Sequence, residues 1–275
     1  MTSKPNRLPK TVGYLLLLAL ALLTIIPFYS MFVMATYNSY EIFKFSGLPS
    51  TCALENLRSV LDMKEMGRFF LNSIVVSAAS VFIGGLVTAA CGYGLAKFEF
   101  KGRGFLFATI LFTMMVPTQL GLVAYVWEMK IFGLSNTLIP AILPFLSMGF
   151  GAFWMTQFIR DAVPNELMES ARIDAAGEFR IFASIIMPVI TPAVYTLSLL
   201  LLIWSWNSFL VPLLTLNDTK LYTLPLGITM FNSMYASDNG AKIMALSLAT
   251  LPVLLVYVLF ANKLMDGLTA GAVKG

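Results

Sequence analysis

NELMESARIDAAGEFRIFASIIMP, residues 165–188, carries Glu166, Glu169, Arg172, Asp174, Glu178 and Arg180 between two long apolar runs. Ionisable side chains at that density are expensive in hydrocarbon, so the segment belongs in water at one face of a membrane. Pro164 and the early acids suit a first helical turn. Ala175-Ala176-Gly177 then permits a break, and Glu178 to Met187 can resume as helix until Pro188. Two short helices joined by a turn and pinned by spans at both ends make a rigid handle for another protein. The plainer alternative is an amphipathic connector with no partner. Against it stand the length of the segment and the apolar set Leu167, Ala171, Phe179 and Phe182, which calls for a facing surface. Composition alone leaves the two readings even.

Working outward, the surroundings are those of a polytopic membrane protein. The 275 residues are 58% hydrophobic and 12% charged, with a mean hydropathy of +0.82. Soluble domains carry about a quarter of their residues as charges. The net charge of +4 fits a loop bias, and no basic cluster is long enough for nucleic acid. Histidine is absent, which removes Ser-His and Cys-His triads, histidine zinc sites and histidine proton relays. Cys52 and Cys91 make no disulfide framework, and no metal or cofactor is expected. No G-x-x-x-x-G-K-[ST] loop occurs, so an energy source based on nucleotide must lie in another chain.

Gaps between charged residues are long enough for six spans of about 20 residues. They are expected at roughly 12–36, 69–96, 105–127, 134–158, 193–216 and 243–262, with the handle at 164–188 in a single domain of residues 1–275. The first apolar run is too long for a signal h-region and reads as an uncleaved span. Lys4, Arg7 and Lys10 precede it; Lys97, Lys101 and Arg103 follow the second span; Lys263 and Lys274 flank the last. Basic residues mark the cytoplasmic side, so both termini and the handle are expected there. The fold class is therefore an all-α membrane protein of six transmembrane helices, with a cytoplasmic helix-turn-helix between spans 4 and 5.

Within the spans, Ser80, Gly84, Thr88 and Gly92 form one stripe of small residues, with Ser73, Ser77, Gly85 and Ala89 on another. Such spacing lets helices approach closely, and packing is favoured over a lining role. Asn72, Gln119, Asn207 and Ser208 are polar groups suited either to a path or to packing. Pro117, Pro140 and Pro144 can bend spans three and four. The last outer loop, with Tyr222, Phe231, Asn232 and Tyr235, is a surface for an external partner or an ordinary connection.

The handle resembles the EAA loop of importer-type ATP-binding-cassette (ABC) permeases, E-A-A-x-x-D-G-A, five residues, F-x-x-I-x-L-P. Here it reads Glu169-Ser170-Ala171, Asp174-Ala175-Ala176, Phe182, Ile185 and Met187-Pro188. Ala175 stands where the pattern has glycine, which makes a left-handed turn there more costly, and Gly177 is positioned to take the bend. GYGLAKFEFKGRGFLF (92–107), WNSFLVPLL (206–214), YTLPLGI (222–228) and the tail GLTAGAVKG (267–275) resemble the maltose-type carbohydrate branch, the tail its shorter subunit. The resemblance covers most of the chain from residue 72 onward.

What the resemblance implies is a permease subunit, not an enzyme, of a bacterial cytoplasmic (inner) membrane importer for a sugar or oligosaccharide. Its partners would be the lipid bilayer, a second homologous permease, two ATP-binding-cassette ATPase subunits and an extracytoplasmic solute-binding protein. Glu169, Ser170, Ala171, Asp174, Ala176, Gly177, Phe182 and Pro188 would form the ATPase-coupling site. Glu169 would meet a basic group, Ala171 and Ala176 would keep the docking face narrow, and Asp174 and Gly177 would shape the turn. The tail residues Gly267, Leu268, Thr269, Gly271, Lys274 and Gly275 would lie against the ATPases. The loop 218–242 would reach the binding protein. Rival readings are an ABC permease for a non-sugar solute, an ion-coupled carrier and an intramembrane enzyme. The last two lack ionisable groups in the expected spans.

Overall fold

The computed structural model describes residues 10–232 and 238–270, with side chains described for 11–231 and 238–261. Every regular element among the described residues is a helix. A helix satisfies its backbone donors and acceptors internally, which an apolar solvent demands. Among the described residues, five helices are long and apolar enough to cross a membrane, or six if one bent pair is counted as a span. The chain divides into two compact units, residues 1–64 with 228–250 and residues 65–227 with 251–275.

The smaller unit contains α1 (Lys10–Met34), α2 (Ala53–Asp62) and residues 239–250 of the terminal helix. Residues 15–23 of α1 are exposed leucines and neighbours on every side, the surface of a helix solvated by lipid or a partner. Residues 37–62 are held by side-chain bonds. Asn56 Nδ2 donates to the Ala35 and Tyr37 carbonyls at 2.7 and 2.8 Å, and the Tyr37 hydroxyl donates to Leu48 O at 2.7 Å. Asp238 Oδ1 accepts from Ser39 Oγ at 2.9 Å and caps Ala241 N at 3.0 Å.

The larger unit is built on α3 (Met66–Lys97), α4 (Arg103–Met115), α5 (Thr118–Ile131), α6 (Ile139–Ala162), α7 (Asn165–Ile173), α8 (Glu178–Trp206) and α9 (Leu210–Thr215). Its core joins α3, α6, α7 and α8 through Tyr93, Met155, Ile159, Met168, Ile181, Phe182, Ile186, Ile190 and Leu197. The small-residue stripe on α3 is a packing device. A Cβ on Gly92 would stand 2.5 Å from Met155 Cβ and 2.8 Å from its backbone carbon, and one on Gly84 would meet Phe145 O at 2.5 Å. The stripe hydroxyls bond to their own helix, Ser80 to Val76 O and Thr88 to Gly84 O, both at 2.7 Å.

The third expected span is not one rod, because α4 and α5 meet at 95°. Val116 is extended ahead of Pro117, whose ring disfavours a helical conformation in the preceding residue. The continuation α5 takes in Glu128 and Lys130 beyond the expected end at 127. The fifth span also differs from expectation. Helix α8 leaves the handle at Glu178 and runs 29 residues to Trp206, so Pro188 and Pro192 end nothing. A π-helical turn at Phe182–Ile186 precedes Pro188, and the wider turn makes room for a ring that clashes with an ordinary i−4 carbonyl.

Candidate functional site

The handle folds as α7, a turn, and the first turns of α8. Met168 and Ala171 on α7 and Ile181 and Phe182 on α8 are buried in the core they share with α3 and α6. Leu167, Ile173 and Phe179 point outward, the last two 86% and 83% exposed. The apolar set read from the sequence is thus divided. Ala171 and Phe182 are satisfied inside this chain, and Ala171 does not narrow an outer face. Leu167 and Phe179 remain exposed, joined by Ile173, which the sequence reading passed over. Its signal was an isoleucine between Arg172 and Asp174 at the helix end.

The turn is made by Ala175, not by Gly177. Ala175 has φ +56°, in the left-handed region, whereas Gly177 has φ −69° and opens α8. The amides of Ala175 and Ala176 donate to Arg172 O and Ala171 O, both at 3.0 Å. These are the paired bonds of a helix ended by a left-handed residue, and they satisfy carbonyls that α7 would otherwise leave open. A Cβ in that conformation costs about 1 kcal/mol. Ala175→Gly is therefore expected to raise stability, by something under about 1 kcal/mol once the entropy of glycine in the unfolded chain is counted. Thermal unfolding in detergent measures it, and a lowered midpoint contradicts the assignment.

Polar bonds tie the handle to the end of α3. The Tyr93 hydroxyl donates to Glu178 Oε2 at 2.7 Å, and Arg172 Nε donates to Glu178 Oε1 at 2.9 Å. The bond to Glu178 raises Arg172 above the usual arginine range. Lys97 Nζ donates to Val163 O and, at 2.9 Å, to Asn165 Oδ1 where α7 begins. Between these ties lies a cleft of about 320 Å³, lined by Lys97, Phe98, Glu99, Asn165, Met168, Glu169 and Arg172. Glu169, Asp174 and Pro188 are exposed, and Ser170 Oγ bonds back to Glu166 O at 2.8 Å. Ala176 is partly buried against the core. Neither Tyr93 nor Lys97 was singled out as a site residue, since partners so remote in sequence leave no local pattern.

The remaining candidates scatter. Asn72 Nδ2 donates to Lys220 O and Tyr222 O, both at 2.9 Å, and so anchors the segment after α9. Gln119 is exposed at the α4–α5 bend. Asn207 Nδ2 donates to Ile203 O at 2.7 Å and closes the end of α8, with the Ser208 amide on Ser205 O. Tyr222 is half-buried with its ring 6.2 Å from that of Phe69. Phe231 is 1% exposed, so its ring is not open to an external partner as the sequence suggested. The side chain of Asn232, all of Tyr235, the side chains of Leu268 and Thr269, and all of Gly271, Lys274 and Gly275 lie outside the described residues, as do Lys4 and Arg7, while Gly267 lies in the terminal helix.

Residues 82–268 match a family model described as "Binding-protein-dependent transport system inner membrane component". The arabinooligosaccharides transport system permease protein AraQ of Halalkalibacterium halodurans is 31% identical over 230 residues, covering 82% of this chain and 81% of that protein. The lactose transport system permease protein LacG of Rhizobium radiobacter is 31% identical over 276 residues, the full length of both. In fold, the chain is similar to one in the crystal structure of a bacterial ABC transporter involved in the import of the acidic polysaccharide alginate. The TM-score is 0.79 at 21% identity, over 95% of this chain and 98% of that one.

Proposed function

Because this chain belongs to the family of binding-protein-dependent transport system inner membrane components, a match that spans residues 82–268, we propose that it is the permease subunit of an ATP-driven sugar or oligosaccharide importer. The relatives named for arabinooligosaccharide and lactose transport support the cargo class. In this reading six spans form half of a channel in a bacterial cytoplasmic membrane, with both termini and the 165–188 hairpin on the cytoplasmic side. A second permease completes the path, two ATPase subunits bind below, and an external binding protein delivers the sugar. The hairpin is the EAA loop and docks in an ATPase cleft. ATP-driven closure of the ATPases then pushes α7, and the spans rock between inward- and outward-facing states.

The single observation that carries the coupling reading is the two-sided hairpin. One side is locked into the core by Met168, Ala171, Ile181 and Phe182, and the other presents Leu167, Ile173, Phe179 and Glu169 outward. A solvated connector has no use for two large apolar side chains exposed at its turn, whereas an interface core does. Gentle purification of the tagged chain from its native membrane, followed by identification of the associated chains, tests it. An ATPase, a second permease and a sugar-binding protein are expected. Uptake that survives ATP depletion but stops with an uncoupler would refute it.

A further inference from the structure

We infer that Tyr93, Arg172 and Glu178 form a positioning clamp that makes the hairpin rigid on α3, so that displacement of α7 reaches the bundle instead of being absorbed at the turn. The inference rests on the coupling role proposed above. Helix α7 has nine residues, too short to hold its shape or direction alone. It joins α8 through a turn at Asp174–Gly177 whose only internal bonds are backbone ones. Left at that, the turn is a hinge.

The clamp closes the hinge. Arg172 lies just before the turn and Glu178 just after it, and their 2.9 Å ion pair crosses its open side. An exposed pair contributes little by itself. Here the same carboxylate accepts a third element, the Tyr93 hydroxyl from α3. The Tyr93 ring cannot swing away, because it is buried between Phe98, at 5.2 Å and edge-on, and Phe182, at 5.6 Å. One carboxylate thus binds α3, α7 and α8 together, and a shared network resists distortion more than separate pairs do. Lys97 holds the opposite end of α7 through Val163 O and Asn165. With both ends bonded to α3, α7 moves only with the bundle.

The test uses the whole complex, with ATPases, second permease and binding protein, in vesicles where ATP hydrolysed and sugar moved are counted together. Tyr93→Phe keeps the ring packing and removes one bond. It is expected to assemble and hydrolyse ATP as the parent does, while sugar moved per ATP falls at least about fivefold, the lower end of usual coupling energies. Glu178→Gln should change the ratio in the same direction, and Arg172→Lys, which keeps the charge, should change it less. An unaltered ratio in Tyr93→Phe overturns the inference. So does a variant that assembles poorly but moves sugar at the parental ratio in whatever complex forms, since that marks a purely structural role. Failure of the parent chain to bind any ATPase instead removes the underlying reading, and the two failures are told apart by the parental control.

Discussion

Glu169→Ala is expected to abolish sugar uptake while the chain still inserts in the membrane at normal levels. Glu169 is exposed on α7, at the rim of the cleft and beside the outward apolar residues. Docking of the hairpin would carry its carboxylate out of water and against a basic group of the ATPase. Truncating one member of such a buried pair weakens association by about 2–5 kcal/mol, or roughly 30- to 5000-fold. Much of that loss comes from the charge left unpaired on the other side. Binding of purified ATPase to permease in vesicles, measured beside uptake, gives both numbers. Parental uptake in this variant is the result that would sink the coupling role of Glu169.

Gly92→Leu is expected to have the largest effect on stability, about 3 kcal/mol of destabilisation. At Gly92 helix α3 touches the backbone of α6, with Thr156 N 2.9 Å from where a Cβ would lie. Side chains can change rotamer, but a backbone contact yields only if the helices part, and α3 with α6 forms the centre of the core. Gly94 is two residues away on the same helix and has nothing within 4 Å of an added Cβ. Gly94→Ala should therefore leave the unfolding midpoint unchanged or raise it slightly, as alanine does in place of glycine within a helix. Equal behaviour of the two positions would mean that α3 and α6 do not cross there.

The contrast between Gly92 and Gly94 shows what was legible in the sequence. The four-residue spacing of Ser80, Gly84, Thr88 and Gly92 marked a close-packing face, and the structure puts Gly84 and Gly92 against α6. Among the described residues, five of the six gaps between charges hold a helix long and apolar enough to cross a membrane, and the third holds the pair bent by 95°. The helix ends were less legible, because hydropathy reports the solvent and not the course of the backbone. Pro188 reads as a stop only if the preceding turn is α-helical, and here it is π-helical. Residue propensity also favoured Gly177 for the bend. The bend is set instead by where the inward face of α7 ends, after Met168 and Ala171, and this puts Ala175 in the left-handed position.

The hairpin itself could be read because charges inside an apolar sequence need water. Which of its apolar residues faced inward could not be read. Ala171 and Leu167 lie on one short helix, and only the packing of α3 and α6 separates their environments. The Tyr93–Glu178 bond joins residues 85 apart in the chain, and local spacing carries no information about it. Phe231 illustrates the same limit from the other side: an aromatic between two apolar runs reads as a contact until its burial is known.

The unbroken course of α8 has a mechanical meaning. Twenty-nine residues at a rise of about 1.5 Å make a rod of about 43 Å, and it starts in the hairpin itself. Pivoting such a rod on one end by about 10° sweeps its far tip through about 7.5 Å. Leverage of that kind needs stiffness more than force: under the coupling role proposed above, a small stroke at the hairpin would become a molecule-sized opening at the far end of α8.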